Sequence, residues 1–456
     1  MSARTWAGVS RRDCLALLAS AWTASADAQG PSTQEVAAAG AASGARLALL
    51  LGDQKYPEPF DLPPIPKNVH DLRDALQERG FDVTDAIDLD LQAARQVVQG
   101  FVARAAASPP DTTLFFYFSG HGAQVDALNL LLPAGLDPSA PEGDVRRGSL
   151  QLLGDIVAAL PPRPQGLVVA VVDTCRTSLK ADDAGLNQVE APKGCVIAFS
   201  TGAGRPAIAP AVPTQNTFYT ASLVKLMRSV PGETSFPDLL RLVKTDVHRT
   251  MAAFPIEIIR KLAQDPFIAD NSVNTPAVGL PAAIPSAAER GEHEAAAWAD
   301  LANATWPAEV ARRAADFLRD FPASTLAAGA TVALDGATEG AGILRHAEVR
   351  LQHAAFQVLP GMDPAHASDL VRAGRGDKDA AARMGHRFLP LSDAPTARGR
   401  YEGWLQYACG LGNGIASYEL ALFYRRQAQP LLAARYEAHA RELGYTPPLS
   451  LDNSRK

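Results

Sequence analysis

The chain has few cysteines and no long apolar or basic run, and each shortage excludes a class of protein. Four widely spaced cysteines in 456 residues do not form the dense framework of a small disulfide-bonded domain. The longest apolar stretch, near residues 14–26, is shorter than the roughly 20 residues that cross a bilayer, which excludes a polytopic membrane protein. A net charge of −6 without basic runs argues against a nucleic-acid binder. At 47% hydrophobic residues, the length favours two or three folded domains.

The N-terminal residues have the features of an export signal. Arg11-Arg12 precedes an apolar run, and Ala26-Asp27-Ala28 offers a small-x-small cleavage site. Ser10 with the two arginines resembles the twin-arginine signal. We therefore expect a signal peptide at residues 1–28 and a mature chain that works in the periplasm or outside the cell. The alternative is an amphipathic or disordered start, which would leave the protein in the cytoplasm.

Residues 45–264 have the pattern of an α/β domain that follows a linker at residues 29–44. Short runs rich in Val, Leu and Phe alternate with helical segments, which predicts a mostly parallel sheet with helices on both faces. We expect strands at 46–52, 81–87, 112–118, 166–172 and 195–200. We expect helices at 67–79, 91–106, 149–160, 217–228 and 235–251.

A Pro- and Ala-rich stretch at residues 265–290 reads as a second linker, and residues 291–450 have only helical patterns. Within them, the segment that starts at Gly376 and the segment that starts at Gly412 are similar in sequence, so that Ala380 matches Ala416. This stretch resembles the Sel-one-like subclass of tetratricopeptide repeats, which implies a partner protein bound on a concave helical face. A plain helical bundle is the alternative.

Two predicted strands run into residues with catalytic chemistry. One leads into Ser119-Gly120-His121-Gly122, where the glycines favour a sharp turn, and the other leads into Asp173-Thr174-Cys175. Functional groups gather at the carboxyl ends of parallel strands, so an imidazole and a thiol could meet there. A nearby imidazole activates a thiol as a nucleophile. Cys195 and Cys409 lie in apolar surroundings and are expected to be core residues.

In order, the segments LALLLGDQKY, KNVHDLRDALQERGFDV, FFYFSGHG, VVAVVDTCR and FSTG resemble the caspase and metacaspase clan of cysteine peptidases, most of all its bacterial metacaspase-type members. The resemblance implies a caspase-hemoglobinase-like fold followed by the all-α repeat domain. It also implies that His121 is the general base and acid, and that Cys175 is the nucleophile. The backbone N–H groups of Gly122 and Cys175 would stabilise the oxyanion. The family requires no third catalytic residue, and the sequence offers no obvious one.

The residue two positions before the nucleophile predicts specificity. Asp173 stands where the caspase signature has Gln, and a carboxylate there would attract Arg or Lys and repel Asp. By resemblance to metacaspases, Asp71 and Ser119 would line the same pocket. The alternatives are a helix-first-turn acid for Asp71 and a strand-end cap for Asp173.

Together these patterns predict a cysteine endopeptidase that cleaves protein or peptide substrates after Arg or Lys. We expect no cofactor, no nucleic-acid partner and no transmembrane segment. Many metacaspases require calcium, but no ligand set is recognisable in this sequence. The rival hypothesis is an inactive caspase-like scaffold that binds proteins through its helical repeats, although a scaffold would need neither His121 nor Cys175.

Overall fold

A computed structural model describes residues 45–125, 128–176, 188–202, 212–279, 291–389 and 395–447. The predicted signal peptide at 1–28 and the linker at 29–44 lie outside these residues. Within the described ranges, no helix combines the length and the apolar composition that a bilayer crossing requires.

An eight-stranded sheet forms the first part of the molecule. Its strands are β1 (Arg46–Gly52), β2 (Asp82–Ile87), β3 (Thr113–Val125), β4 (Leu128–Leu131), β5 (Leu150–Gln151), β6 (Leu167–Arg176), β7 (Cys195–Phe199) and β8 (Phe267–Asp270). The main path runs β2-β1-β3-β6-β7-β8, and only β8 is antiparallel to its neighbour in this path. β4 pairs in antiparallel fashion with the end of β3, and β5 pairs with β4. The mostly parallel sheet is as predicted.

Helices cover both faces of the sheet. They are α1 (Ile65–Glu78), α2 (Leu91–Ala107), α3 (Glu142–Gly148), α4 (Phe218–Ser229), α5 (Phe236–Ala252) and α6 (Glu257–Lys261). Alternate residues of β1 enter two different cores, because successive side chains of a strand point to opposite faces. Leu49 packs in the core that contains Phe101 of α2, whereas Leu50 packs in the core that contains Leu72 of α1 and Leu223 of α4.

Side-chain caps fix where several helices begin. Asp90 accepts a hydrogen bond from the Ala93 N–H at the start of α2, and Ser235 accepts one from the Asp238 N–H at the start of α5. Each cap satisfies a backbone donor that the first helical turn leaves without an intrahelical partner.

The structure corrects three sequence predictions. β3 does not turn at the glycines but continues in extended conformation to Val125, because its last residues pair with β4. Residues 267–270, which we expected in a linker, form β8 because their backbone pairs with β7. The helix expected at 149–160 is a short strand, β5, followed by a π-helical turn at Leu152–Val157.

The second part of the molecule is helical in its described residues. It contains α7 (Glu292–Asn303), α8 (Pro307–Asp320), α9 (Ala327–Ile343), α10 (Pro364–Gly374), α11 (Lys378–His386), α12 (Pro395–Gly410), α13 (Gly414–Arg426) and α14 (Pro430–Glu442). The two similar segments, which start at Gly376 and Gly412, form the same local structure. Gly376 and Gly412 both have positive φ, and the next residue in each case, Asp377 or Asn413, caps the following helix. The assignment to Sel-one-like repeats itself stays a prediction.

Side chains of the helical region complete the backbone hydrogen bonding of β8, the last strand of the sheet path. The Ile268 carbonyl accepts a hydrogen bond from Lys378 Nζ at 2.7 Å, and the Asp270 N–H donates to Asp379 Oδ2 at 2.8 Å. Arg372 donates to the Asp270 carbonyl at 3.1 Å. An open strand edge is a template for pairing with another chain, and here α10 and α11 cover it.

A buried ion-pair network holds the same junction. Arg372 lies 2.9 Å from Asp270 Oδ1 and 2.7 Å from Asp377 Oδ2, and Arg241 lies 2.7 Å from Asp270 Oδ2. Both carboxylates are nearly inaccessible to solvent. Burial opposes the ionisation of Asp377, but Arg372 and Arg241 hold the pKa of this carboxyl well below its usual range. The network therefore depends on the presence of both arginines.

We expect Arg372→Ala to lower the free energy of unfolding by about 3 kcal/mol, because it leaves two buried carboxylates with one arginine between them. Arg312→Ala is the control, since it removes an exposed pair with Asp316 and should cost within about 0.5 kcal/mol. Chemical denaturation measures both values. Equal losses for the two variants would contradict the importance of the junction network.

Candidate functional site

The pairing of β3 with β6 places the two predicted catalytic residues opposite each other. In this parallel register Ser119 pairs with Asp173, and His121 pairs with Cys175. Neighbouring strands lie about 4.8 Å apart, so the two backbones are adjacent at this point. β1 stops at Gly52, opposite Ser119, so His121 lies beyond the end of that neighbour. These are the two residues that the sequence analysis expected at neighbouring strand ends.

A backbone carbonyl fixes the orientation of the His121 ring. Nε2 of His121 lies 2.8 Å from the Phe60 carbonyl oxygen. A carbonyl oxygen only accepts hydrogen bonds, so this contact requires a proton on Nε2 and leaves Nδ1 as the basic nitrogen of the neutral ring. Sequence reasoning found no third catalytic group. It could not have found the Phe60 carbonyl as a partner of His121, because this acceptor belongs to the main chain.

Tyr56 supports His121 from the same loop. Its ring meets the imidazole edge to face, with centroids 4.5 Å apart, and its hydroxyl accepts the His121 N–H at 3.0 Å. The Tyr56 hydroxyl also donates to the Leu132 carbonyl at 2.8 Å. The loop between β1 and α1 therefore holds both the ring and the backbone of His121.

The glycines beside His121 are needed for close approach. A Cβ on Gly120 would lie 2.8 Å from the Tyr56 hydroxyl, and a Cβ on Gly122 would lie 2.9 Å from the Thr174 side chain. Real Cβ atoms do not come that close to other heavy atoms, so larger residues would push Tyr56 or Thr174 away. Close packing therefore explains why both positions are glycine. The sharp turn that the sequence suggested is not present, because β3 stays extended here.

Asp173 is a buried carboxylate that accepts hydrogen bonds from hydroxyl groups. Thr217 Oγ1 donates to its Oδ2, and Thr220 Oγ1 donates to the same atom at 2.6 Å. Burial raises the pKa of Asp173, and these hydrogen bonds oppose the rise. Thr217 caps α4, so Asp173 also lies near a helix N-terminus. No Lys or Arg side chain among the described residues forms an ion pair with it.

The predicted pocket residues are brought together only in part. Ser119 is fully buried, and its hydroxyl accepts a hydrogen bond from Asn68 Nδ2 at 3.1 Å. Asn68 also reaches Thr217, which links Ser119 to the Asp173 network. Asp71 does not join them. It pairs with Lys67 at 2.8 Å on the surface of α1, one turn beyond Asn68, and its place in the pocket stays a prediction.

The other described thiols are core residues, as predicted. Burial raises the pKa of Cys195 and of Cys409 to about 11, which leaves both as unreactive thiols at neutral pH. In the part of the chain that the structure describes, no group of three or more His, Cys, Asp or Glu residues could hold a metal ion.

Two more carboxylates, both missed by the sequence analysis, lie at the base of the loop that holds His121. Asp53 follows β1 and accepts the Leu89 N–H at 3.1 Å, and Asp88 accepts two N–H groups of the loop. Burial raises the pKa of Asp53 to about 7, an effect that the Leu89 N–H opposes and the charge of Asp88 increases. A carboxyl group with such a pKa changes its charge within the physiological range.

Comparison with known proteins gives one family match. The family model described as "Caspase domain" matches residues 45–277, just over half of the chain. No curated protein matches. Among solved structures, 264 chains match. One of them is a crystal structure of caspase-1 from Spodoptera frugiperda, with 15% identity over 52% of this chain and 90% of that chain, and a TM-score of 0.40.

We expect Asp53→Asn to stabilise the protein at pH 8 but not at pH 4. In the unfolded chain this carboxyl ionises near pH 3.9, whereas in the folded protein it keeps its proton to about pH 7. The contribution of the protonated form to stability is therefore complete below about pH 4 and is lost as the pH rises to about 7. Because Asn does not ionise, the variant should gain about 2–4 kcal/mol over the parent at pH 8.

Urea denaturation between pH 4 and pH 8 measures this difference. Asp335→Asn, at an exposed position on α9, is the control. If the advantage of Asp53→Asn were the same at both ends of the pH range, the perturbed ionisation of Asp53 would be refuted.

Proposed function

This chain belongs to the caspase domain family of cysteine peptidases, and on that premise we propose that it is an endopeptidase that cleaves after Arg or Lys through a Cys175–His121 pair. The observation that carries the proposal is the register of β3 and β6, which sets His121 opposite Cys175 and Ser119 opposite Asp173. Family membership gives the class of enzyme. The residue roles and the specificity are our inference.

In the proposed mechanism, Nδ1 of His121 accepts the thiol proton of Cys175. The thiolate attacks the carbonyl carbon of the scissile peptide bond, and the backbone N–H groups of Gly122 and Cys175 stabilise the oxyanion. The imidazolium returns its proton to the leaving amine, which departs and leaves a thioester. Water, deprotonated by the same nitrogen, then hydrolyses the thioester. The hydrogen bond from Nε2 to Phe60 supports this assignment, because a proton on Nε2 makes Nδ1 the basic nitrogen of the neutral ring.

The proposed preference for Arg or Lys depends on Asp173. This carboxylate is buried without an ion-pair partner among the described residues, and burial disfavours its charged form. A guanidinium or ammonium group of the substrate would supply the missing countercharge. Ser119 and Asn68 add neutral polar groups to the same network. We propose Asn68 in the position that the sequence analysis gave to Asp71.

We expect the protein to hydrolyse fluorogenic peptides that end in Arg or Lys and not those that end in Asp. Cys175→Ala should abolish turnover. Asp173→Asn should lower the turnover of Arg and Lys peptides at least 100-fold, because the countercharge is lost. The same variant should not lower the melting temperature, since it removes a buried, unpaired charge and keeps an acceptor for the Thr217 and Thr220 hydroxyls.

Several results would contradict this proposal. Turnover of the Asp peptide alone would overturn the specificity, and an Asp173→Asn variant that is unstable but fully selective would show that Asp173 only caps a strand end. Absence of turnover, with and without calcium, together with slow alkylation of Cys175 that His121→Ala leaves unchanged, would favour the scaffold. Cys195 and Cys409 are internal controls, because buried thiols should resist alkylation in the folded protein.

We further propose that residues 1–28 direct export and that the helical region binds a protein partner. The export proposal has a direct test, since the mature chain should begin near Gln29 and be recovered from the periplasm or the medium. N-terminal sequencing of the protein from each cell fraction checks this. A cytoplasmic protein that still begins at Met1 would refute the proposed signal.

A further inference from the structure

We propose that Asp88 is a positioning residue for His121: it holds the loop between β1 and α1 in the conformation that orients the imidazole. This inference rests on the proposed function, because it concerns the general base of that reaction. The side chain of Asp88 accepts hydrogen bonds from the backbone of the loop and not from His121. It acts through the backbone of the loop.

Asp88 has an unusual conformation that serves hydrogen bonding. Its φ angle is 57°, in the left-handed region that residues other than glycine rarely adopt. In this conformation its Oδ1 accepts the N–H of Gln54 at 2.7 Å and the N–H of Lys55 at 2.9 Å. Its own N–H donates to the Gly52 carbonyl at 2.9 Å. One side chain after β2 thus holds the first residues of the loop after β1.

The held segment leads directly to the groups that contact His121. Tyr56 follows Lys55, and its hydroxyl accepts the His121 N–H. Phe60, four residues later, supplies the carbonyl that accepts Nε2–H. Within the loop, the Leu62 N–H donates to the Gln54 carbonyl at 2.9 Å, which closes the segment on the residue that Asp88 binds. Displacement of Gln54 would therefore shift both contacts of His121.

The strain at Asp88 supports a functional role. A non-glycine residue in the left-handed region is strained and persists where the surrounding structure requires it. Asp and Asn tolerate this region better than other side chains, because a short polar group can bond to nearby backbone. Only these two residue types would combine the backbone conformation with an acceptor at the Oδ1 position.

Two substitutions separate the hydrogen bonds from the backbone conformation. Asp88→Gly accepts the positive φ without strain but removes the acceptor, whereas Asp88→Asn keeps both. We expect Asp88→Gly to lower kcat for the Arg peptide about 10- to 100-fold with KM within about 2-fold, because misplacement of the base slows proton transfer and leaves substrate binding intact. Asp88→Asn should restore kcat to within about 3-fold of the parent.

Ala428→Gly is the matched control. Ala428 has a φ angle of 55°, precedes α14 and is the other described non-glycine residue with positive φ. This variant makes the same kind of backbone change in the helical region and should leave kcat unchanged. A kcat for Asp88→Gly equal to that of the control would overturn the inference, as would an Asp88→Asn variant as slow as Asp88→Gly.

A measurement without substrate separates this inference from the proposed function. Nitrogen NMR of the histidine rings, with the His121 signal identified by its absence in His121→Ala, reports which ring nitrogen carries the proton. We expect a single Nε2–H form in the parent and a mixture of both neutral forms in Asp88→Gly. A parent without Cys175-dependent turnover but with this shift would refute the proposed function alone. An unchanged His121 tautomer in Asp88→Gly would refute the positioning role whatever the activity.

Discussion

The site depends on one constraint, the in-register parallel pairing of β3 with β6. A parallel ladder fixes which residues stand opposite each other, and a slip of one position would move every side chain to the other face. Here the ladder continues three residues past the end of β1, so Ser119 and Asp173 lie at the last row that β1 shares, and His121 and Cys175 lie beyond it. The same ladder thus belongs both to the well-packed sheet and to the candidate site.

The loop between β1 and α1 orients the His121 ring through the Phe60 carbonyl. In the more familiar triads a carboxylate holds the histidine, and its charge also stabilises the imidazolium. A neutral carbonyl, like that of Phe60, supplies orientation with much less charge stabilisation. Precision at His121 therefore depends on how firmly the loop is held. Two carboxylates, Asp53 and Asp88, lie where this loop begins. The charge of Asp88 adds to the effect of burial and raises the pKa of Asp53 further.

The sequence predicted the sheet and the His121–Cys175 pair because strong local signals determine both. Buried runs such as LFFYF mark strands, and the ends of parallel strands meet at one edge. The Phe60 carbonyl carries no residue-type signal, so no pattern could reveal it. Asp71 was predicted for the pocket because an acid is an obvious chemical group, whereas the place of Asn68 depends on its contacts with Ser119 and Thr217, which the sequence does not show. β8 was missed because four residues in a Pro-rich stretch look like part of a linker, and long-range pairing with β7 decides their conformation.

Because α10 and α11 cover β8, the sheet and the helical region cannot easily be separated in evolution. The caspase domain match ends at residue 277, yet the outward backbone groups of Ile268 and Asp270 find their hydrogen-bond partners on α10 and α11. A gene fragment that stopped at 277 would encode a sheet with a bare strand, which invites aggregation. The helical region would therefore resist exchange by recombination at that point, because a replacement would have to supply the same Arg, Lys and Asp side chains. The boundary of sequence similarity is thus not a boundary of independent folding.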